Sequence, residues 1–212
     1  MVETARDADK KCPSYTGRPR AAIATLSSYI DPDNASERNE KWLHKIIAYD
    51  TYVSLAAGVD GLVVYSFSSG GKTKSLQQKL YRQIWGKISR SGLGNVFLWG
   101  EDRDDIKMKI IQGPKSIKWK KYRSEYTAPS ILMRNIQYGQ NRYLLLINNS
   151  KETVRTKLSG YPSGLYYQDM LKNVWYSPGA TITSTIHPSG MRMYKIAQHP
   201  PGSIKPYSRS PM

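Results

Sequence analysis

The chain has 212 residues, 39% hydrophobic and 23% charged, which suits a globular protein of one or two domains and excludes a disordered one. No apolar run approaches the ~20 residues a membrane-spanning helix needs, and the single Cys12 excludes an internal disulfide framework. Thirty-two Lys and Arg against 16 Asp and Glu give a net charge of +16, a field that attracts polyanions such as nucleic acid, anionic membrane or acidic polysaccharide without choosing among them.

Residues 1–19 read as a disordered polar tail containing Pro13, Gly17 and Pro19. Its first dozen residues have no apolar core behind their charges and do not read as a signal peptide, so the compartment stays open. Cys12, beside Pro13 and without a nearby His, reads as a tail residue rather than a nucleophile or an intermolecular bridge.

Residues 20–92 read as α/β. A buried strand is expected over 21–26, with Ser27, Ser28 and Tyr29 at its C-terminal end. A polar loop over 31–34 leads into a helix, which Asn34 can cap while Glu37 bonds back. Trp42, Ile46, Tyr49, Val53 and Ala56 recur at steps of three and four and predict the buried face of that helix. Gly58 sits where a left-handed cap belongs. The run 62–67 is apolar nearly throughout, as expected of a parallel strand covered on both faces. A second helix is predicted from Ser75, with Leu76, Leu80, Ile84 and Ile88 four apart and a stop at Gly92. Such a helix–strand–helix layer cannot bury both of its faces alone, so it is expected to belong to something larger or to self-associate.

Residues 93–197 read as a C-terminal antiparallel β-sandwich. Strands are predicted at 96–99, 107–111, 131–135, 165–168, 180–186 and 191–196. The clearest pair, 142–147 and 153–158, reads as a hairpin joined through Asn148, Asn149, Ser150 and Lys151. Residues 198–212 read as a Pro-rich disordered tail, and there is no internal repeat.

Tyr52, Ala56, Ala57, Gly58, Val59, Gly61, Leu62, Val64, Tyr65, Ser66 and Phe67, placed ahead of a small β domain, resemble a phrase of glycoside hydrolases built as a (β/α)8 barrel followed by a β-sandwich. In them it marks the helix before the eighth strand and that strand itself. YLLLINNSKETVRTKL and GMRMYKI resemble strands of the accessory sandwich, so the resemblance covers roughly residues 20–196. It implies a partial barrel end of two βα units, truncated at its N-terminus: a complete barrel takes about 250 residues, far more than 20–92 supplies. Retaining hydrolysis needs two carboxylates about 5–5.5 Å apart. In many relatives one is a Glu ending strand seven and the other lies on strand four. Here the end of strand seven is Ser27-Ser28-Tyr29, so the implied function is a carbohydrate-active fragment with no catalytic residue and no cofactor of its own. Carbohydrate and the missing barrel half are the implied partners. Because barrel sites lie at the C-terminal strand ends, Tyr29, Tyr65, Phe67 and Ser68 are the candidate sugar contacts, with a plugged barrel core as the other reading of Tyr65 and Phe67.

Other constellations are weaker. Glu101, Asp102, Asp104 and Asp105 lack the spacing of a Ca²⁺ loop and read as a solvated loop. His44, His187 and His199 are too scattered for a metal motif. Ser69-Gly70-Gly71-Lys72-Thr73 is an incomplete phosphate loop, with Ser66 where its first Gly belongs. The alternative function lies in KSIKWKKYR. There Lys115, Lys118, Lys120, Lys121 and Arg123, interleaved with Trp119 and Tyr122, suit a groove for single-stranded nucleic acid or another polyanion, acidic polysaccharide included. A basic β-edge that discourages strand pairing explains the same residues.

Overall fold

The computed structural model describes residues 23–27, 40–59, 61–65, 72–121, 124–179 and 181–198. The chain divides into two compact units, residues 1–98 and 99–212. No described helix is long and apolar enough to cross a membrane.

The first unit runs β1 (Ile23–Ser27), α1 (Glu40–Ala56), β2 (Gly61–Tyr65), α2 (Lys72–Arg90) and α3 (Leu93–Trp99, whose last residue falls in the second unit). β1 and β2 pair in parallel, Ile23 opposite Gly61 and Ser27 opposite Tyr65, and α1 connects them and packs on β1. Gly58 has φ +87°, and the Gly58 and Val59 amides donate to the carbonyls of Leu55 and Ser54, closing α1 as a left-handed cap.

The buried face of α1 is not the stripe through Trp42, Ile46, Tyr49 and Val53. Leu43, Ile47, Thr51, Tyr52, Ser54, Leu55 and Ala56 are buried, and Trp42 is 37% exposed. The helix is apolar nearly all round after Lys45, so two stripes one residue apart compete, and packing selects between them. In α2, Leu80, Ile84 and Ile88 are buried at the expected spacing, while the helix starts at Lys72 rather than Ser75. The two helices meet where the Trp85 indole N–H donates to the fully buried Thr51 hydroxyl at 3.2 Å.

Two expectations fail here. Residues 96–99 form part of helix α3, not a strand. Leu93, Val96 and Phe97 are buried at i, i+3 and i+4, which is helical spacing, and Leu98 and Trp99 are exposed. Nor is β2 covered on both faces, since Val63 is 50% exposed.

The second unit is made of β3 (Glu101–Asp102), β4 (Lys107–Gln112), β5 (Ser116–Lys121), β6 (Ser124–Pro129), β7 (Ile131–Tyr138), β8 (Asn141–Asn148), β9 (Val154–Ser159), β10 (Tyr166–Asp169), β11 (Val174–Tyr176), β12 (Thr183–Ile186) and β13 (Met191–Ala197). Every pairing is antiparallel. Six strands form one sheet in the order β11-β10-β13-β8-β7-β3, three form another in the order β12-β9-β4, and β5-β6 stands as a separate two-stranded sheet. β9 alternates strictly, with Val154, Thr156 and Leu158 inward and Arg155 and Lys157 outward. Val154 and Leu158 join Leu144, Leu146, Tyr194, Ile196, Ile182 and Ile186 in one core drawn from both larger sheets. Each such aliphatic side chain contributes roughly 1.5–3 kcal/mol by leaving water.

The expected 142–147/153–158 hairpin does not form. β8 pairs with β7 and β13, whereas β9 pairs with β12 and β4 in the other sheet. Asn148 is fully buried, so its side chain serves the crossover between sheets rather than an exposed turn. The acidic cluster is not a plain solvated loop either. Asp102 accepts from the Arg134 Nε at 2.8 Å, that guanidinium being 5% exposed, and Asp105 accepts from Asn135 Nδ2 at 2.8 Å and from Arg142.

Candidate functional site

Of the proposed sugar contacts, Tyr29, Phe67 and Ser68 lie outside the described residues. Tyr65 closes β2 in register with Ser27, so these two backbone positions meet at the C-terminal ends of parallel neighbours. In the basic segment, Tyr122 and Arg123 lie outside the described residues, and Trp119, Lys120 and Lys121 stand on β5 opposite Tyr126, Glu125 and Ser124. Lys115 is exposed just ahead of β5. Lys118, 69% exposed, pairs with Glu125 at 3.0 Å, which neutralises one of the segment's charges.

A cleft of about 680 Å³ that sequence reasoning did not single out opens in the second unit, lined by residues of β9 to β13. Its inner wall is aromatic. Tyr167 and Tyr176 stack with centroids 4.5 Å apart and planes 12° from parallel, and Tyr194 meets Tyr167 edge-on at 6.0 Å. The β10–β11 hairpin places the first two and the β10–β13 pairing the third. Such pairs stabilise by about 0.5–1.5 kcal/mol beyond the area they bury.

Polar groups line the remainder. The Tyr194 and Ser184 hydroxyls bond at 2.6 Å. Burial pushes the Tyr194 phenol above its ordinary range, which the Ser184 bond partly offsets and nearby Asp169 reinforces. Asp169, the one carboxylate lining the cleft, is 4% exposed, and its Oδ1 accepts from the Leu171 and Lys172 amides at 3.1 and 3.2 Å. That Asx-type turn carries Lys172 to the rim and continues through Asn173 at φ +54°. Arg192 donates to the Thr185 carbonyl at 3.0 Å, and Arg155 stands directly across the strand pair from Thr185.

A single carboxylate already held by backbone amides does not supply the pair that glycoside hydrolysis requires. The cleft is equipped to bind: aromatic faces, hydroxyls, and three cations around one satisfied acid. The sequence held one local hint, Tyr166-Tyr167 and Trp175-Tyr176 on either side of a turn. Convergence with Arg155, Ser184 and Arg192 depends on pairings between distant strands, which no local pattern encodes. Among the described residues no group of three His, Cys, Asp or Glu is placed to hold a metal.

No protein-family model matches the chain, and no curated protein sequence matches it significantly. Among solved structures, the α-amylase from Geobacillus thermoleovorans complexed with acarbose superposes with a TM-score of 0.53 at 11% identity, over 92% of this chain and 43% of that one. A point variant of AmyP in complex with maltotriose gives 0.49 at 9%, over 81% and 37%, and a GH27 β-L-arabinopyranosidase from Geobacillus stearothermophilus gives 0.47 at 9%, over 96% and 42%. The α-amylase superposition shows that the chain has a glycoside-hydrolase-like fold. It spans less than half the length of each of these structures.

Proposed function

We propose that this chain forms the C-terminal part of a carbohydrate-active glycoside hydrolase. Residues 20–92 supply the last two βα units of a (β/α)8 barrel and residues 93–197 the antiparallel β-sandwich behind it. One observation carries this reading: β1 and β2 pair in parallel through α1, and α2 and α3 then lead in sequence to an antiparallel β unit. The α-amylase likeness over 92% of the chain supports the same order of parts. The half-exposed Val63 suits a strand covered by further barrel elements or by a second copy. On this reading Tyr29, Tyr65, Phe67 and Ser68 contact sugar at the strand ends, and the chain alone hydrolyses nothing, because Ser27-Ser28-Tyr29 brings no Glu.

A polyanion or single-stranded nucleic-acid module is the second reading. It is favoured by the β5–β6 hairpin standing as its own sheet and carrying Lys118, Trp119, Lys120 and Lys121 beside Lys115. Titration with maltotetraose and with single-stranded DNA, followed by intrinsic fluorescence, separates the two. The hydrolase reading expects a sugar-dependent change that Tyr65→Ala removes, and no release of reducing ends. Steep DNA quenching at low salt with no response to sugar replaces it with the second.

A further inference from the structure

We propose that the cleft of the β unit binds an anionic sugar, a pyranoside carrying a carboxylate or a sulfate, through Arg155, Lys172 and Arg192 beside the Tyr176 ring. The sugar half of this proposal rests on the glycoside-hydrolase reading. The anion half rests on the cations alone.

Arg155 and Arg192 converge on one residue, the first as the cross-strand neighbour of Thr185 and the second as a donor to its carbonyl. Lys172 enters from the β10–β11 turn, a third element. The ion pairs of the described residues engage Lys79, Arg103, Lys118, Arg134 and Arg142, none of which lines the cleft. The single acid in the cleft, Asp169, already accepts two backbone N–H groups. Three like charges drawn into one concavity repel one another, and a bound anion relieves that repulsion. Guanidinium groups suit the planar fork of a carboxylate or the oxygens of a sulfate.

The rest of the lining suits the sugar ring. Tyr176 is half-buried, held flat by its stack on Tyr167, and offers an apolar surface to a pyranose. Thr181, Thr183 and Ser177 add hydroxyls around it. The Ser184 hydroxyl, bonded to that of Tyr194, adds a further polar group to the lining. A volume of about 680 Å³ falls in the range of small-molecule sites.

The test is calorimetric titration of the full chain with tetragalacturonate, a chondroitin sulfate tetrasaccharide, maltotetraose and inorganic sulfate. The acidic tetrasaccharides are expected to bind at least about ten-fold tighter than maltotetraose and to weaken as salt rises from about 50 to 300 mM. Arg155→Glu with Lys172→Glu, both exposed positions, is expected to weaken them on the order of 30-fold with an unchanged thermal midpoint, while Lys107→Glu, an exposed position on β4 outside the cleft, leaves them alone. The tighter of the two acidic probes identifies the anionic group. Acidic tetrasaccharides that bind no better than maltotetraose, or that ignore the double variant, overturn the proposal. So does inorganic sulfate binding as tightly as the acidic sugars. A Tyr65-dependent response to maltotetraose that survives such a failure leaves the hydrolase reading standing.

Discussion

The side-chain amide of Asn148, at the end of β8, donates to the backbone carbonyl of Ile186 in β12 at 2.8 Å, tying a strand of the six-stranded sheet to one of the three-stranded sheet. The same Nδ2 donates to the Glu152 carbonyl at 2.7 Å. Its Oδ1 accepts from the Ser150 amide at 2.8 Å and the Ser150 hydroxyl at 2.7 Å. All of the Asn148 side chain's hydrogen-bonding capacity is thus used inside the protein. Asn148→Ala removes the side-chain donor to the buried Ile186 carbonyl and the acceptor of the Ser150 amide, while the Glu152 carbonyl keeps the Ser150 hydroxyl, and we expect a loss of about 1–3 kcal/mol in urea unfolding. A loss below about 0.5 kcal/mol would show that the crossover does not depend on this residue.

Arg134 on β7 and Asp102 on β3 make a second polar connection, this one between neighbouring strands of one sheet. The guanidinium is 5% exposed and the carboxylate 36%, so removing the acid leaves a largely buried cation without that partner. Asp102→Ala is expected to cost about 1–3 kcal/mol. In Asp102→Ala with Arg134→Met most of that loss returns, because the stranded charge is gone. A double-mutant cycle measures it; strictly additive losses would show that the two side chains are uncoupled.

Gly160 and Gly139 separate strain from collision. Both have positive φ, +86° and +58°. A Cβ on Gly139 meets nothing within 4 Å, whereas one on Gly160 falls 2.4 Å from the Asp105 carbonyl oxygen. Gly139→Ala should cost about 1 kcal/mol, the left-handed penalty alone. Gly160→Ala should cost about 3 kcal/mol or more, because it also displaces the backbone that presents Asp105 to Asn135 and Arg142. Equal thermal midpoints for the two variants would contradict this.

Asp50 carries a pH dependence. Burial raises its carboxyl above the ordinary range, and its charge adds to the burial that pushes the Tyr81 phenol up to about 12. The folded state holds the Asp50 proton more tightly than the unfolded chain does, so this group's contribution to stability falls as pH rises through the carboxylate range. Asp50→Asn should therefore raise the thermal midpoint at neutral pH and leave it unchanged near pH ~3, where both states are protonated. A variant that melts lower at pH 7 would reverse the sign.

Helix α2 was legible because Leu80, Ile84 and Ile88 recur without interruption between polar residues, and the stop at Gly92 has φ +74°. Gly58 was legible for the same backbone reason. The face of α1 was not, because Trp42 and Leu43 head two apolar stripes of similar strength. The helix at 93–99 was not, because a run as short as Val96-Phe97-Leu98-Trp99 fits either period. The choice of partner for β8 was hidden because Asn148-Asn149-Ser150 has turn chemistry, and only tertiary packing turns its first side chain inward. The cleft was illegible for a related reason, since its cations come from β9, the β10–β11 turn and β13. Of the sugar-contact residues the sequence proposed, only Tyr65 falls on a described element.

The two connections flanking β8 differ in what they tolerate. Gly139 and Gln140 form an exposed two-residue turn, with Tyr138 opposite Asn141. Residues 148–153 are stitched inward by Asn148 and Ser150. An epitope tag or a fluorescent fusion belongs at the first, where lengthening the loop disturbs only the exposed bond from the Gln137 side-chain amide to the Gly139 carbonyl; the same insert at the second would unpick the junction of the two sheets.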